Sequence, residues 1–205
     1  DGDINIVCKS GVLVPVGKLV TVAPSSLKAA PEPVKAGKEL TVTGNDLDVV
    51  TQVQFPNCAV AEAQAAEGKL VVAVPAEAQE GDLLLIMANG KQTPVHFTLI
   101  KPTVSGFNMN PAAAGSDVVI QGTDLDLIVS ATFEGGSTVK EFSVSEDGTA
   151  LTVAVPLDAA EGKVVLALAN GTVVETPSLS VDKPVFCYIP DVTVLTENDL
   201  KAGDL

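Results

Sequence analysis

Few side chains in this sequence could carry chemistry, and they are spread thinly. His96 is the only histidine. A nucleophile relay or a histidine-rich metal shell needs a base held by a second, orienting group. His96 has no such neighbour in sequence, and beside Phe97 it reads as a half-buried strand residue. Cys8, Cys58 and Cys187 are odd in number, widely spaced and free of any C-x-x-C pair. They form neither a disulfide framework nor a zinc motif, and they read as buried free thiols. Gly135-Gly136 lies between strands and lacks the helix that phosphate binding uses. No catalytic residue and no cofactor site emerges.

One acidic pattern recurs. Asp46-Leu47-Asp48 returns as Asp124-Leu125-Asp126. Two carboxylates at i and i+2 on an extended loop could face one side and share a calcium ion, which takes roughly six to eight oxygens. Asp46, Asp48, Asp124 and Asp126 are therefore metal candidates. No EF-hand spacing follows them, and Asp is also a favoured turn residue. Turn chemistry is the preferred reading, with Leu47 and Leu125 plugging the end of a sandwich.

The charge balance narrows the partners. There are 26 acidic and 12 basic residues, net −14, and every basic residue is Lys. Neutralising phosphates needs a basic face, so nucleic acid is excluded as a partner. Without Arg there is no bidentate clamp for phosphate or carboxylate. Trp is absent and there is one Tyr, which leaves few platforms for stacking on sugars. Phe55 and Phe133 read as core, and Phe142 points inward in its strand. Phe107, Phe186 and Tyr188 fall at the starts of repeat units. They are expected to pack one repeat on the next, or to meet a partner there.

The elements behind these residues are repeats. Ala36-Gly37 through Asp48 is echoed by Ala114-Gly115 through Asp126, and Phe55 by Phe133, at a constant spacing. Further on, Ala73-Val74-Pro75 matches Ala154-Val155-Pro156 with three residues inserted, as a loop tolerates. Glu80-Gly81 and Ala88-Asn89-Gly90 return as Glu161-Gly162 and Ala169-Asn170-Gly171. The opening residues match 80–90, and the final Lys-Ala-Gly matches Lys35-Ala36-Gly37. The expected organisation is the C-terminal part of a repeat at 1–24, complete repeats at 25–101 and 102–183, and the start of another at 184–205. Such a chain is expected to be an excerpt of a longer array.

Each unit reads as β. Short β-rich runs at 49–55, 70–74, 83–87 and 95–100 are separated by turn signals. Asn89-Gly90 and Asn170-Gly171 predict two-residue hairpins with primed turns. Residues 59–66 have helical propensity, but their counterpart alternates as a strand, and the repeat register favours a strand. About seven strands in roughly 80 residues is an immunoglobulin-like pattern. The fold class is all-β, a tandem of Ig-like sandwiches.

The combined pattern resembles the IPT/TIG family of early-set Ig-like domains. It runs Lys101-Pro102-Thr103-Val104, Ala114-Gly115, residues 118–122 ending in glycine, Ser130-Ala131-Thr132-Phe133, and Leu151-Thr152-Val153-Ala154-Val155-Pro156. Asp-Leu-Asp stands where the family more often has a Gly-aromatic pair. The sequence is also similar to tandem IPT regions of Bacteroidetes surface lipoproteins. That resemblance implies a non-catalytic cell-surface spacer or accessory subunit beside an outer-membrane, starch-utilisation-type nutrient transporter. The partners would be other surface or outer-membrane proteins. The membrane would be reached only through a lipid anchor outside this sequence. The alternative is a glycan- or peptide-binding surface module.

Overall fold

The alternation of residues 40–43 shows how the sandwich is built. Leu40 and Val42 are fully buried, while Thr41 and Thr43 face outward. In a strand successive side chains point to opposite faces, so one face goes to the core and the other to water. In the structure, a computed structural model that describes residues 2–135 and 137–182, this pattern recurs along the central strands of the two sandwiches. No helix among the described residues is long and apolar enough to cross a membrane. Cys187, Phe186, Tyr188 and the expected repeat at 184–205 lie outside the described residues.

Strands β1 (Gly2–Val7) and β2 (Leu13–Leu19) form an antiparallel hairpin. The first complete sandwich follows. Its strands are β3 (Ser25–Ala30), β4 (Glu39–Asn45), β5 (Val50–Gln54), β6 (Val60–Glu62), β7 (Lys69–Ala73), β8 (Gly81–Met87) and β9 (Gln92–Phe97). They make two sheets, β3-β4-β7 and β6-β5-β8-β9. The core between them is aliphatic, with Phe55 and Phe97 packed edge to face at 5.4 Å.

The second sandwich repeats the plan. It comprises β10 (Thr103–Phe107), β11 (Ala112–Ala113), β12 (Asp117–Thr123), β13 (Ile128–Thr132), β14 (Thr138–Val139), β15 (Phe142–Val144), β16 (Ala150–Ala154), β17 (Gly162–Leu168), β18 (Val173–Leu179) and β19 (Val181–Asp182). The sheets are β10-β12-β16-β15 and β14-β13-β17-β18, and β11 pairs with β19 in parallel. The parallel bridge between Val34 and Leu99 is its counterpart in the first unit. The two units differ at one edge: β15 extends the first sheet of the second unit, and no strand among the described residues does so in the first.

The Asp-Leu-Asp loops are nearly superimposable turns. Asp46 and Asp124 both adopt the left-handed conformation, with φ of 56° and 53°, which Asp tolerates better than most residues. Each leads into a short 3₁₀ turn that drops Leu47 or Leu125 into the core, at 2% and 0% exposure. The glycine before each loop is a packing requirement. A Cβ on Gly122 would sit 1.9 Å from the Thr103 carbonyl oxygen, and one on Gly44 would sit 2.8 Å from that of Ser25.

Several expectations are corrected. Asn89-Gly90 and Asn170-Gly171 do not form primed turns, because only the glycine has positive φ. Gly90 N–H donates to the Met87 carbonyl, and Met87 N–H to that of Lys91. This is a three-residue loop ending in a left-handed glycine, the next commonest hairpin connection. The Asn side chain accepts the N–H two residues on, from Lys91 and Thr172. The β1–β2 hairpin closes in the same way through Cys8 and Gly11. The primed turn is instead Glu67-Gly68, where both residues have positive φ.

His96 is exposed rather than half-buried, with Nδ1 3.1 Å from Asp82 Oδ1 across the hairpin. Cys8 is exposed rather than buried, because no second sheet covers the β1–β2 hairpin among the described residues. Cys58 is half-buried, and burial, then the nearby Glu77 charge, pushes its thiol pKa up.

Leu125→Ala should therefore open a cavity under the loop and lower stability by about 2–5 kcal/mol in urea unfolding. A loss under about 1 kcal/mol would show that the leucine does not anchor the turn.

Candidate functional site: the joint between the two sandwiches

The polar groups that meet with the best geometry lie where the first sandwich touches the second. Lys35 stands between the Val34 bridge and the Ala36-Gly37 turn, so its backbone is fixed by parallel pairing with the last strand. Its ammonium donates to Asp124 Oδ1 and to Asp126 Oδ1, both at 2.7 Å. The left-handed Asp124 and the following 3₁₀ turn aim the two carboxylates at one point. Gly148 makes room for them: its φ is +69°, and a Cβ there would stand 2.7 Å from Asp126 Oδ1. Gly148 also accepts the Leu125 N–H at 2.9 Å, which ties the acidic loop to the neighbouring turn.

This pair differs from an ordinary surface ion pair. The Lys35 side chain is 21% exposed, and those of Asp124 and Asp126 are 29% and 46% exposed. Burial works to lower the lysine pKa. The hydrogen bonds and charges of Asp124 and Asp126 outweigh it and hold the ammonium above its ordinary value of 10.5. Beside the clamp, Asn170 Nδ2 donates to the Ala78 carbonyl at 3.2 Å, and Gln79 Nε2 to the Asn170 carbonyl at 3.5 Å. Lys101 in the connector pairs with Glu80 at 2.7 Å. Between these contacts lies a groove of about 310 Å³ lined by Lys35, Leu99, Ile100, Asp126, Leu127 and Asn170, among others.

The predicted residues fare differently. Asp124 and Asp126 converge on one cation, the lysine ammonium. The equivalent Asp46 and Asp48 share the loop shape, and neither carboxylate has a hydrogen-bond or ion-pair partner among the described residues. No group of three or more potential ligands gathers among the described residues. Phe107 is half-buried against the core of its own sandwich, while Phe186 and Tyr188 lie outside the described residues. Sequence reasoning missed Lys35, whose partners lie 89 and 91 residues away. Its only signal was its place beside the Ala-Gly pair that recurs in both complete units.

No family model and no curated protein matches the chain. Among solved structures it is similar to a Bacteroides ovatus surface protein from a mixed-linkage glucan utilization locus, in complex with a heptasaccharide. Identity is 25%, covering 73% of this chain and 43% of that one, with a TM-score of 0.32. A protein from a complex xyloglucan utilization locus in Bacteroides uniformis is 23% identical, over 78% and 50%, TM-score 0.36. A surface glycan-binding protein of Prevotella bryantii is 18% identical, over 78% and 43%, TM-score 0.38. The chain thus spans no more than half the length of these structures. At such TM-scores the likeness assigns no ligand or role to it.

A double-mutant cycle of Lys35→Met with Asp124→Asn should give a coupling of about 1 kcal/mol, since Asp126 remains open to solvent screening. In 1 M salt, where the Debye length falls to about 3 Å, the coupling should shrink. Because the folded lysine pKa is raised, its contribution is complete below the ordinary value of 10.5 and is lost as pH climbs through the folded value. A coupling that vanishes between pH 7 and 9 would contradict this.

Proposed function

We propose that the chain is a non-catalytic, load-transmitting spacer at the cell surface, holding a binding partner at a set distance and angle. The observation that carries this reading is the clamped joint. Two sandwiches linked by a short connector gain orientation from a lysine held by two carboxylates and from the Asn170 and Gln79 contacts. Pro102 restricts Lys101 to extended conformations, which further limits bending. The strands offer mixed and acidic outer faces, which suit a crowded surface through mutual repulsion.

The finer reading is an accessory subunit beside an outer-membrane nutrient transporter, anchored by lipid outside this sequence. IPT/TIG-type units, Bacteroidetes origin and an absence of enzymatic activity belong to this proposal. Against direct sugar capture by the two sandwiches, no aromatic stands among the exposed large apolar residues described. Sugar stacking uses such faces.

The glycans of the similar proteins' utilization loci supply the probes. Titration of the isotope-labelled chain with mixed-linkage glucan and xyloglucan oligosaccharides should leave the amide signals of residues 2–182 in place. Saturable shifts on one face would replace the spacer by the glycan-binding alternative. A pull-down of the tagged full-length protein from its native membrane should recover a transporter or another surface protein in stoichiometric amount. Recovery of the protein alone would remove the accessory role.

A further inference from the structure

Comparing the two sandwiches strand by strand isolates one open edge. In the second unit β15 pairs with β16 through Phe142–Val153, Ser143–Thr152 and Val144–Leu151. Phe142 and Val144 pack against the core. The turn joining the two strands is locked by Asp147, which accepts the Ser145 and Thr149 hydroxyls at 2.6 and 2.8 Å. In the first unit the equivalent of β16 is β7, and among the described residues β7 pairs with β4 alone.

The chain that should cover β7 turns away. Ala66 and Lys69 exchange backbone hydrogen bonds at 2.8 and 3.0 Å around the Glu67-Gly68 turn. That matches the Ser145 N–H to Ala150 carbonyl bond of the second unit. Counting back from these pairs, Ala63 stands where Phe142 does and Ala65 where Val144 does. Ala63 N–H donates to the Thr51 carbonyl at 3.0 Å, so this segment stays with the opposite sheet. Ladder bonds alternate along an antiparallel strand. Lys69 bonds outward and Val74 N–H bonds to Lys38 of the β4 side. The backbone groups of Val71 and Ala73 therefore point to the open edge.

The small side chain of Ala63 also leaves space. A groove of about 370 Å³ opens between the sheets at this edge, lined by Val53, Phe55, Ala63, Val71, Ala73 and Pro75, among others. An unpaired strand edge beside an apolar groove is the arrangement used for strand addition.

We infer that β7 accepts an extended segment of a partner polypeptide as an added antiparallel strand. The segment carries a large apolar residue, a polar residue and a second apolar residue in succession, the first seated in the groove. The occupant is specified by the molecule itself: the second unit fills the same place with Phe-Ser-Val. This inference stands apart from the spacer reading, since it concerns one sandwich rather than the joint.

The test titrates the labelled full chain with a capped peptide of residues 140–145 (Lys-Glu-Phe-Ser-Val-Ser). Saturable amide shifts are expected at Val71, Val72 and Ala73, and should be lost with a peptide carrying Ala in place of Phe. Ala63→Phe, which fills the groove in cis, should raise thermal stability and abolish the shifts. Absence of shifts, shifts elsewhere, or binding that survives Ala63→Phe overturns the inference. So does movement of the same signals on raising protein concentration alone, which would assign the edge to a second copy.

Discussion

Among the described residues, the ion pairs between one sandwich and the next converge on a single ammonium. Lys35 donates to two carboxylates of the following unit, and three backbone features set up the contact. Parallel pairing at Val34 fixes the lysine, the left-handed Asp124 turns the acidic loop, and Gly148 admits it. A coupling of about 1 kcal/mol is small beside the stability of a domain, but it biases a hinge roughly fivefold. Hydrogen bonds from Asn170 and Gln79 add to that bias.

Each acidic loop is also a structural plug. Leu47 and Leu125 close the ends of two aliphatic cores, and the flanking aspartates are carried with them. One short motif thus serves packing inside and charge outside. The loops are alike in shape but differ in partners: Asp124 and Asp126 hold a lysine, whereas the Asp46 and Asp48 carboxylates have no partner among the described residues. The sheets differ too, since β15 completes one unit and Ala63 and Ala65 leave the other open.

Much of the fold was legible in the sequence, because repeats constrain each other. The helical propensity of residues 59–66 is overridden, as their counterpart's alternation suggested, and β6 forms there. Leu47 and Leu125 plug the core as their place after a glycine-ended strand implied. Turn type was less legible. Asn89-Gly90 permits a primed turn, but the chain forms the three-residue loop, in which the Asn89 side chain accepts the Lys91 N–H. The joint was least legible, since a cation and its acceptors 89 and 91 residues apart leave no local pattern. The exposure of His96 follows from its cross-strand place opposite Asp82 on the outer face, which alternation from buried Val95 and Phe97 already required.

A clamped joint makes the two sandwiches between residues 25 and 182 reorient together. Residual dipolar couplings of both sandwiches in a weakly aligning medium test this. One alignment tensor is expected, equal in magnitude and direction for both units at low salt. Tensors of clearly different magnitude would show independent reorientation and would contradict it.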